Sequence, residues 1–174
     1  MMLARKTIGI LVAPGYEDLE FWVPYMRMKE EGAAVKIISS KANENCTSKS
    51  GGLSVTSDTG AGDIDAGQLD VLLVPGGWAP DKLRRDENIL QLVRRMDHQN
   101  KILGFICHAG WVAASAGICK GRKVTGSRGI KDDMENAGAI WVDEPAFRDG
   151  NLVWGRVVAD IPDYCRVLIR AIAG

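Results

Sequence analysis

Short apolar runs recur along the chain, separated by stretches whose apolar residues fall at helical spacing. Thr7 to Val12, Ala34 to Ser39, Val71-Leu72-Leu73-Val74 and Ile102 to Ile106 read as strands, the most continuous of them buried on both faces. After the first, Leu19, Trp22, Val23 and Met26 keep helical spacing up to the stop Glu30-Glu31-Gly32. Pro24 falls inside that pattern, which places it in the first turns or at a kink. Residues 41–68 are polar and Gly-rich, with a short strand around Leu53 to Thr56. Asp86 caps a helix that presents Ile89, Leu92, Val93 and Met96 on one face.

The second half continues the alternation. Lys123 to Thr125, Ala139 to Val142 and Leu152 to Val157 read as strands, the last two with Asp149-Gly150-Asn151 turning between them. Ile130, Met134 and Ala137 make a short helix face. The last helix has Asp160 at its cap and Pro162 just inside, and it lines Tyr164, Cys165, Leu168, Ile169 and Ile172 along one side. Strands alternating with amphipathic helices predict an α/β fold, a mostly parallel sheet covered on both faces. No repeat, linker or low-complexity stretch divides it, so residues 1–174 are expected to form one domain.

Charge and cysteine content narrow the function classes. Lys and Arg total 22 against 22 for Asp and Glu, so no net charge draws the chain to nucleic acid or an anionic membrane. The Arg84-Arg85 and Arg94-Arg95 pairs read as a solvated or subunit-contact face. No apolar run approaches the ~20 residues of a membrane span, and Pro14 ends the first run short of a signal sequence. Cys46, Cys107, Cys119 and Cys165 are scattered, without a CxxC pair or paired histidines. Neither a disulfide framework nor a metal or other cofactor is expected, and a cytoplasmic setting with reduced thiols follows.

Candidate chemistry gathers at Cys107-His108. The pair closes the run Ile102 to Ile106 and is followed by the small residues Ala109 and Gly110, then by the helix-compatible stretch Trp111-Val112-Ala113-Ala114-Ser115-Ala116. Strand, sharp turn and helix with a thiol at the turn make a nucleophile elbow. The helix end contributes roughly 0.3–1 kcal/mol, less than the ~1.36 kcal/mol that one pKa unit requires. A reactive Cys107 therefore needs a further partner, an imidazolium or a hydrogen-bond donor; the plain alternative is a buried core cysteine. His108 is the candidate proton carrier, whereas His98 sits at a helix end as a surface residue.

Two further segments belong at the same sheet edge. In Gly15-Tyr16-Glu17-Asp18-Leu19-Glu20 a protonated carboxyl is placed to donate to a thiolate, or the acids simply suit a first helical turn. Pro75-Gly76-Gly77 offers backbone N–H groups to an oxyanion, or is a tight turn; no P-loop lysine and no GxGxxG accompanies it.

Taken together, these segments resemble the PfpI/ThiJ family, relatives of the class I glutamine amidotransferases. The marks are Gly15 to Glu20, Val74-Pro75-Gly76-Gly77-Trp78-Ala79-Pro80-Asp81, Ile106-Cys107-His108 and Gly129-Ile130-Lys131-Asp132-Asp133-Met134, spread from Ile8 to the last helix. The resemblance implies a flavodoxin-like three-layer sandwich with Cys107 as nucleophile. It implies Glu17 as the acid against the sulfur, and the amides of Gly77 and His108 as the oxyanion hole. It also implies Asp81, contributed by a neighbouring subunit, as the carboxylate on His108, hence a homodimer or larger homo-oligomer. Asp81 stands where the family usually has Glu, and Ala109 where many members have Gly. Trp78 beside Gly77 is expected to wall the substrate pocket.

The activity implied is thiolate attack on a small carbonyl compound, as in glutathione-independent glyoxalases and deglycases. A cysteine peptidase is the alternative. A stress protein whose Cys107 senses oxidant or whose surface holds unfolded clients is a third reading from a different class. The expected partner is a small carbonyl substrate or a peptide, with neither nucleic acid nor membrane.

Overall fold

The computed structural model describes all 174 residues. The chain runs β1 (Thr7–Leu11), α1 (Asp18–Glu30), β2 (Ala34–Ser39), β3 (Asn45–Thr47), β4 (Ser54–Thr56), β5 (Thr59–Gly60), β6 (Val71–Val74), α2 (Ala79–Leu83), α3 (Glu87–His98) and β7 (Ile102–Ile106). It continues through α4 (Gly110–Ala116), β8 (Lys123–Val124), α5 (Lys131–Asn136), β9 (Ile140–Trp141), β10 (Ala146–Asp149), β11 (Leu152–Gly155) and α6 (Ile161–Ala173). The main sheet has the order β10-β11-β7-β6-β1-β2-β5 and is parallel except where β10 meets β11. This is the α/β sandwich expected from the alternation.

From β1 the chain first moves outward to β2, then returns to β6 and moves the other way through β7 to β11. Right-handed crossovers in opposite directions put α1 on one face and α3 on the other. α6 joins α1, and α3 packs with α4. The reversal falls between β1 and β6, whose carboxyl ends therefore part and leave a crevice. β6 is buried along its whole length and β1 and β7 at all but their first residue, inside a core of 51 apolar side chains. No helix is long and apolar enough to cross a membrane.

Several local expectations are corrected. The apolar residues Leu19 and Met26 of α1 are exposed and Trp22 and Val23 half-buried; the face turned inward is Glu20, Phe21, Pro24 and Met28. Pro24 lies well inside the helix. Asp149-Gly150-Asn151 joins β11 to β10, while the strand near 140 pairs with β8 in a separate small sheet. β10 was hidden because as an edge strand it carries mostly half-exposed side chains. Asp160 starts α6 without a side-chain cap and accepts from Arg156 Nε instead, at 2.9 Å.

Packing under the sheet is tight at Gly104. A Cβ there would lie 2.5 Å from the Tyr164 hydroxyl and 2.7 Å from Leu73 Cδ2. Gly104→Ala is expected to destabilise the fold by about 1–3 kcal/mol in urea unfolding, through overpacking between β7 and α6.

Candidate active site

The crevice is assembled by three chain segments that approach within backbone contact. At the end of β6, Gly77 takes φ +77° and forms an isolated antiparallel bridge with Tyr16. Glu17 N donates to Gly76 O at 3.2 Å, and Trp78 N to Gly15 O at 2.8 Å. A Cβ on Gly77 would lie 2.5 Å from both Glu17 N and Gly15 O, so only glycine closes this contact. At Gly76 the added atom would meet Glu20 Oε2 at 2.5 Å, Cys107 Cβ at 2.8 Å and His108 N at 3.0 Å.

The third segment is the elbow. Cys107 has φ +60°, a left-handed conformation that costs a non-glycine residue roughly 1–2 kcal/mol. Its carbonyl accepts from Ser127 N at 3.1 Å, which holds the turn in place. The half-buried sulfur lies 3.2 Å from His108 Nδ1, and the backbone N–H groups of His108 and Gly77 are directed at it. The two donors singled out in the sequence thus converge on the thiol.

The acid that meets the sulfur is Glu20, not Glu17. Glu20 is only 2 % exposed; its Oε2 accepts from Gly76 N at 2.8 Å and it faces Cys107 across that glycine. Glu17 instead caps α1, accepting from Glu20 N at 2.8 Å, and only lines the crevice. Helix geometry explains the exchange: Glu17 at the cap points along the axis, whereas Glu20 shares the inward stripe with Phe21 and Pro24. A buried acid at that phase was the available signal, but the exposed apolar residues of α1 suggested a different inward face.

Burial raises the Glu20 carboxyl to about 7, with the charge of Glu17 adding to the effect. Burial also pushes the Cys107 thiol up to about 12, with the Glu20 carboxylate next, while the His108 and Gly77 amides pull it down. With Glu20 charged, the surroundings therefore oppose ionisation of the thiol. His108 is lowered, first by burial and then by the charge of Lys49.

These groups open into a cleft of about 690 Å³. Its walls include Lys49, Trp78, Asp81 and Trp111. Trp78 is 62 % exposed, with Lys49 Nζ 5.7 Å from its ring centre. Asp81 sits in the same wall and is ion-paired with Arg85; His108 meets the Trp111 ring edge-on at 5.2 Å. Lys49 and Trp111 had no place in the sequence reading of the site. No three His, Cys, Asp or Glu side chains converge as metal donors, and all four cysteines are free.

The sequence profile of the DJ-1/PfpI family matches residues 6–171. The chain belongs to the DJ-1/PfpI family. Family relatives include the protein named deglycase PH1704 from Pyrococcus horikoshii, 40 % identical over 92 % of this chain and 95 % of its own. The protein/nucleic acid deglycase 2 of Escherichia coli is 33 % identical over 95 % and 96 %. Among solved structures, a two-domain protein of Anabaena variabilis with DJ-1/ThiJ/PfpI-like and ferritin-like domains superposes with a TM-score of 0.93. It is 34 % identical, with 95 % of this chain covering 48 % of that one. Drosophila melanogaster DJ-1beta shares the fold at TM-score 0.90 and 22 % identity, over 97 % and 91 %.

The two acids differ in a measurable way. The folded-state pKa of Glu20 lies above its ordinary 4.5, so the native state holds the extra proton and stability falls as pH rises from about 4.5 through about 7. Removing the acid removes that slope. Relative to Glu20→Gln, the wild type should lose up to about 3 kcal/mol between pH 4.5 and 8 in urea unfolding. Glu17→Gln should keep most of the slope; a flat profile for that variant instead would reverse the assignment.

Proposed function

We propose that this chain is a cysteine enzyme of the deglycase or glutathione-independent glyoxalase type, acting on a small α-oxoaldehyde or its amine adduct. The observation that carries this is the convergence of two backbone amides and a near-neutral buried acid on one strained cysteine. Relatives named deglycases, at 33–40 % identity over nearly the whole chain, favour the same reading.

The chemistry follows from one shared proton. Near neutrality the thiol keeps its proton beside a titrating Glu20, which is assigned to take that proton as the sulfur attacks, turning a repelling carboxylate into a hydrogen-bond donor. The pair then still carries one negative charge, now on sulfur, where the Gly77 and His108 amides favour it. The thiolate forms a bond to the aldehyde carbon as the carbonyl π pair moves to oxygen, which takes up a proton. His108 removes the hydrogen from that carbon and returns a proton to the adjacent one, converting the hemithioacetal to a thioester. Water then releases a 2-hydroxycarboxylate and restores the thiol. Trp78 and Trp111 narrow the approach.

Incubation with methylglyoxal without glutathione should yield lactate, and Cys107→Ala should lower the rate at least about a hundredfold. Equal lactate from the variant would remove the reading. Cleavage confined to peptides would move it to the cysteine peptidase suggested by the relative named putative cysteine protease YraA of Bacillus subtilis, 34 % identical over 92 % of this chain.

A homo-oligomeric site is part of the proposal. No carboxylate of the same chain is hydrogen-bonded to His108, and Asp81 lies on the cleft wall, half-exposed. Asp81 of one copy is assigned to His108 of another. Mixing Asp81→Ala with Cys107→Ala chains should then restore part of the activity, and zero recovery in verified hybrids would exclude the arrangement.

A further inference from the structure

The cleft holds a charge that the proton transfers above do not use. Of its two lysines, Lys82 donates to Pro14 O at 2.9 Å, whereas the Lys49 ammonium has neither a carboxylate nor a carbonyl partner. Its backbone is nevertheless held firmly. Lys49 N donates to Tyr16 O at 2.8 Å, and the next residue, Ser50, bonds Asp18 through both its N–H (3.1 Å) and its hydroxyl (2.5 Å). The β3–β4 hairpin thereby hangs over the start of α1 and delivers Lys49 to the cleft wall beside Trp78. The field of Lys49 reaches both Glu20 and His108. The acids on the same wall are engaged elsewhere, Glu17 with Glu20 N and Asp81 with Arg85.

The size of the cleft points the same way. About 690 Å³ is in the range that accommodates a drug-sized ligand, far more than a three-carbon oxoaldehyde occupies. A substrate reaching Cys107 has room for a second group extending to Lys49. One unpaired ammonium matches one negative charge, and the nearby Glu17 and Asp81 carboxylates oppose a dianion. We infer that the substrate's carbonyl compound carries a carboxylate, which pairs with Lys49 along the Trp78 face while the carbonyl carbon meets Cys107. This rests on Cys107 being the nucleophile proposed above.

Alkylation tests the charge without requiring turnover. Iodoacetate and iodoacetamide both form a sulfur–carbon bond as the carbon–iodine bond breaks and iodide leaves, but only the first carries a carboxylate. Both reagents read the same thiolate, so a change in the thiolate fraction cancels in the ratio of their rates at Cys107. Lys49→Met should lower the iodoacetate-to-iodoacetamide ratio about fivefold, the size of an exposed charge pair. Lys49→Arg should preserve the ratio, and raising the salt should erode it in the wild type. An unchanged ratio in Lys49→Met overturns the inference.

Turnover supplies the second arm. An α-oxoaldehyde whose chain ends in a carboxylate is compared with its methyl ester. The wild type should favour the acid in kcat/KM, and Lys49→Met should lose that preference by a similar factor. A ratio that falls in alkylation while neither compound is turned over would sink the glyoxalase or deglycase reading and leave the carboxylate subsite standing. Turnover of acid and ester at equal rates by the wild type would sink the subsite and leave the enzyme.

Discussion

The absence of a side chain at Gly76 is the constraint on which the site depends. The same point in space lies within 3.0 Å of the Glu20 carboxylate, the Cys107 Cβ and the His108 amide. These come from α1 and from the elbow that follows β7, two pieces far apart in sequence that meet over the turn after β6. A methyl group there would separate the acid from the thiol and displace the His108 amide together. Gly77 imposes the same rule on its other side, against Gly15 and Glu17. The core beneath makes the approach possible, because β6 and β7 are adjacent and parallel and end at the same level.

Closeness has an electrostatic consequence. Two ionisable groups in a water-poor corner cannot both carry negative charge at neutral pH without a large cost. The structure resolves this by lifting both, Glu20 to about 7 and the thiol to about 12 while Glu20 is charged. At neutral pH the thiol therefore keeps its proton while Glu20 titrates beside it. Backbone amides act on both groups, those of His108 and Gly77 on sulfur and that of Gly76 on Glu20 Oε2, while Glu20 Oε1 has no partner. Two amides on sulfur against one on the carboxylate reduce the cost of placing the charge on sulfur.

The order of strands and helices was legible because buried parallel strands leave continuous apolar runs, as at Val71 to Val74 and Ile102 to Ile106. The elbow was legible because small residues follow Cys107, and φ +60° there agrees with it. What misled was the phase of α1. Leu19 and Met26 look like core residues and are exposed, while the acid at position 20 looks like surface and is 2 % exposed. Hydrophobic periodicity assumes that apolar means inward, an assumption that fails where a buried carboxyl is required by chemistry. The β3–β4 hairpin was invisible in function for another reason: a polar, Gly-rich stretch carries no pattern that shows where its tip lands.

That hairpin separates two demands on the protein. Reactivity at Cys107 depends on backbone positions inside the sheet edge, where a displacement of a few tenths of an ångström breaks a contact. In the proposed reading, selection of the rest of the substrate falls to Lys49 and Trp78, which sit outside the main sheet on an exposed tip and an exposed turn. The hairpin reaches the core only through Cys46 and Val55, and its tip is tied down by polar contacts, Ser50 to Asp18 and Lys49 N to Tyr16 O. A change of side chain at its tip alters the charge facing the cleft without moving Gly76 or Gly77. The geometry of the acid–thiol pair is thus insulated from substitutions at the tip, even though the charge there still reaches Glu20 and His108, and the cleft wall has a place to vary where folding does not oppose it.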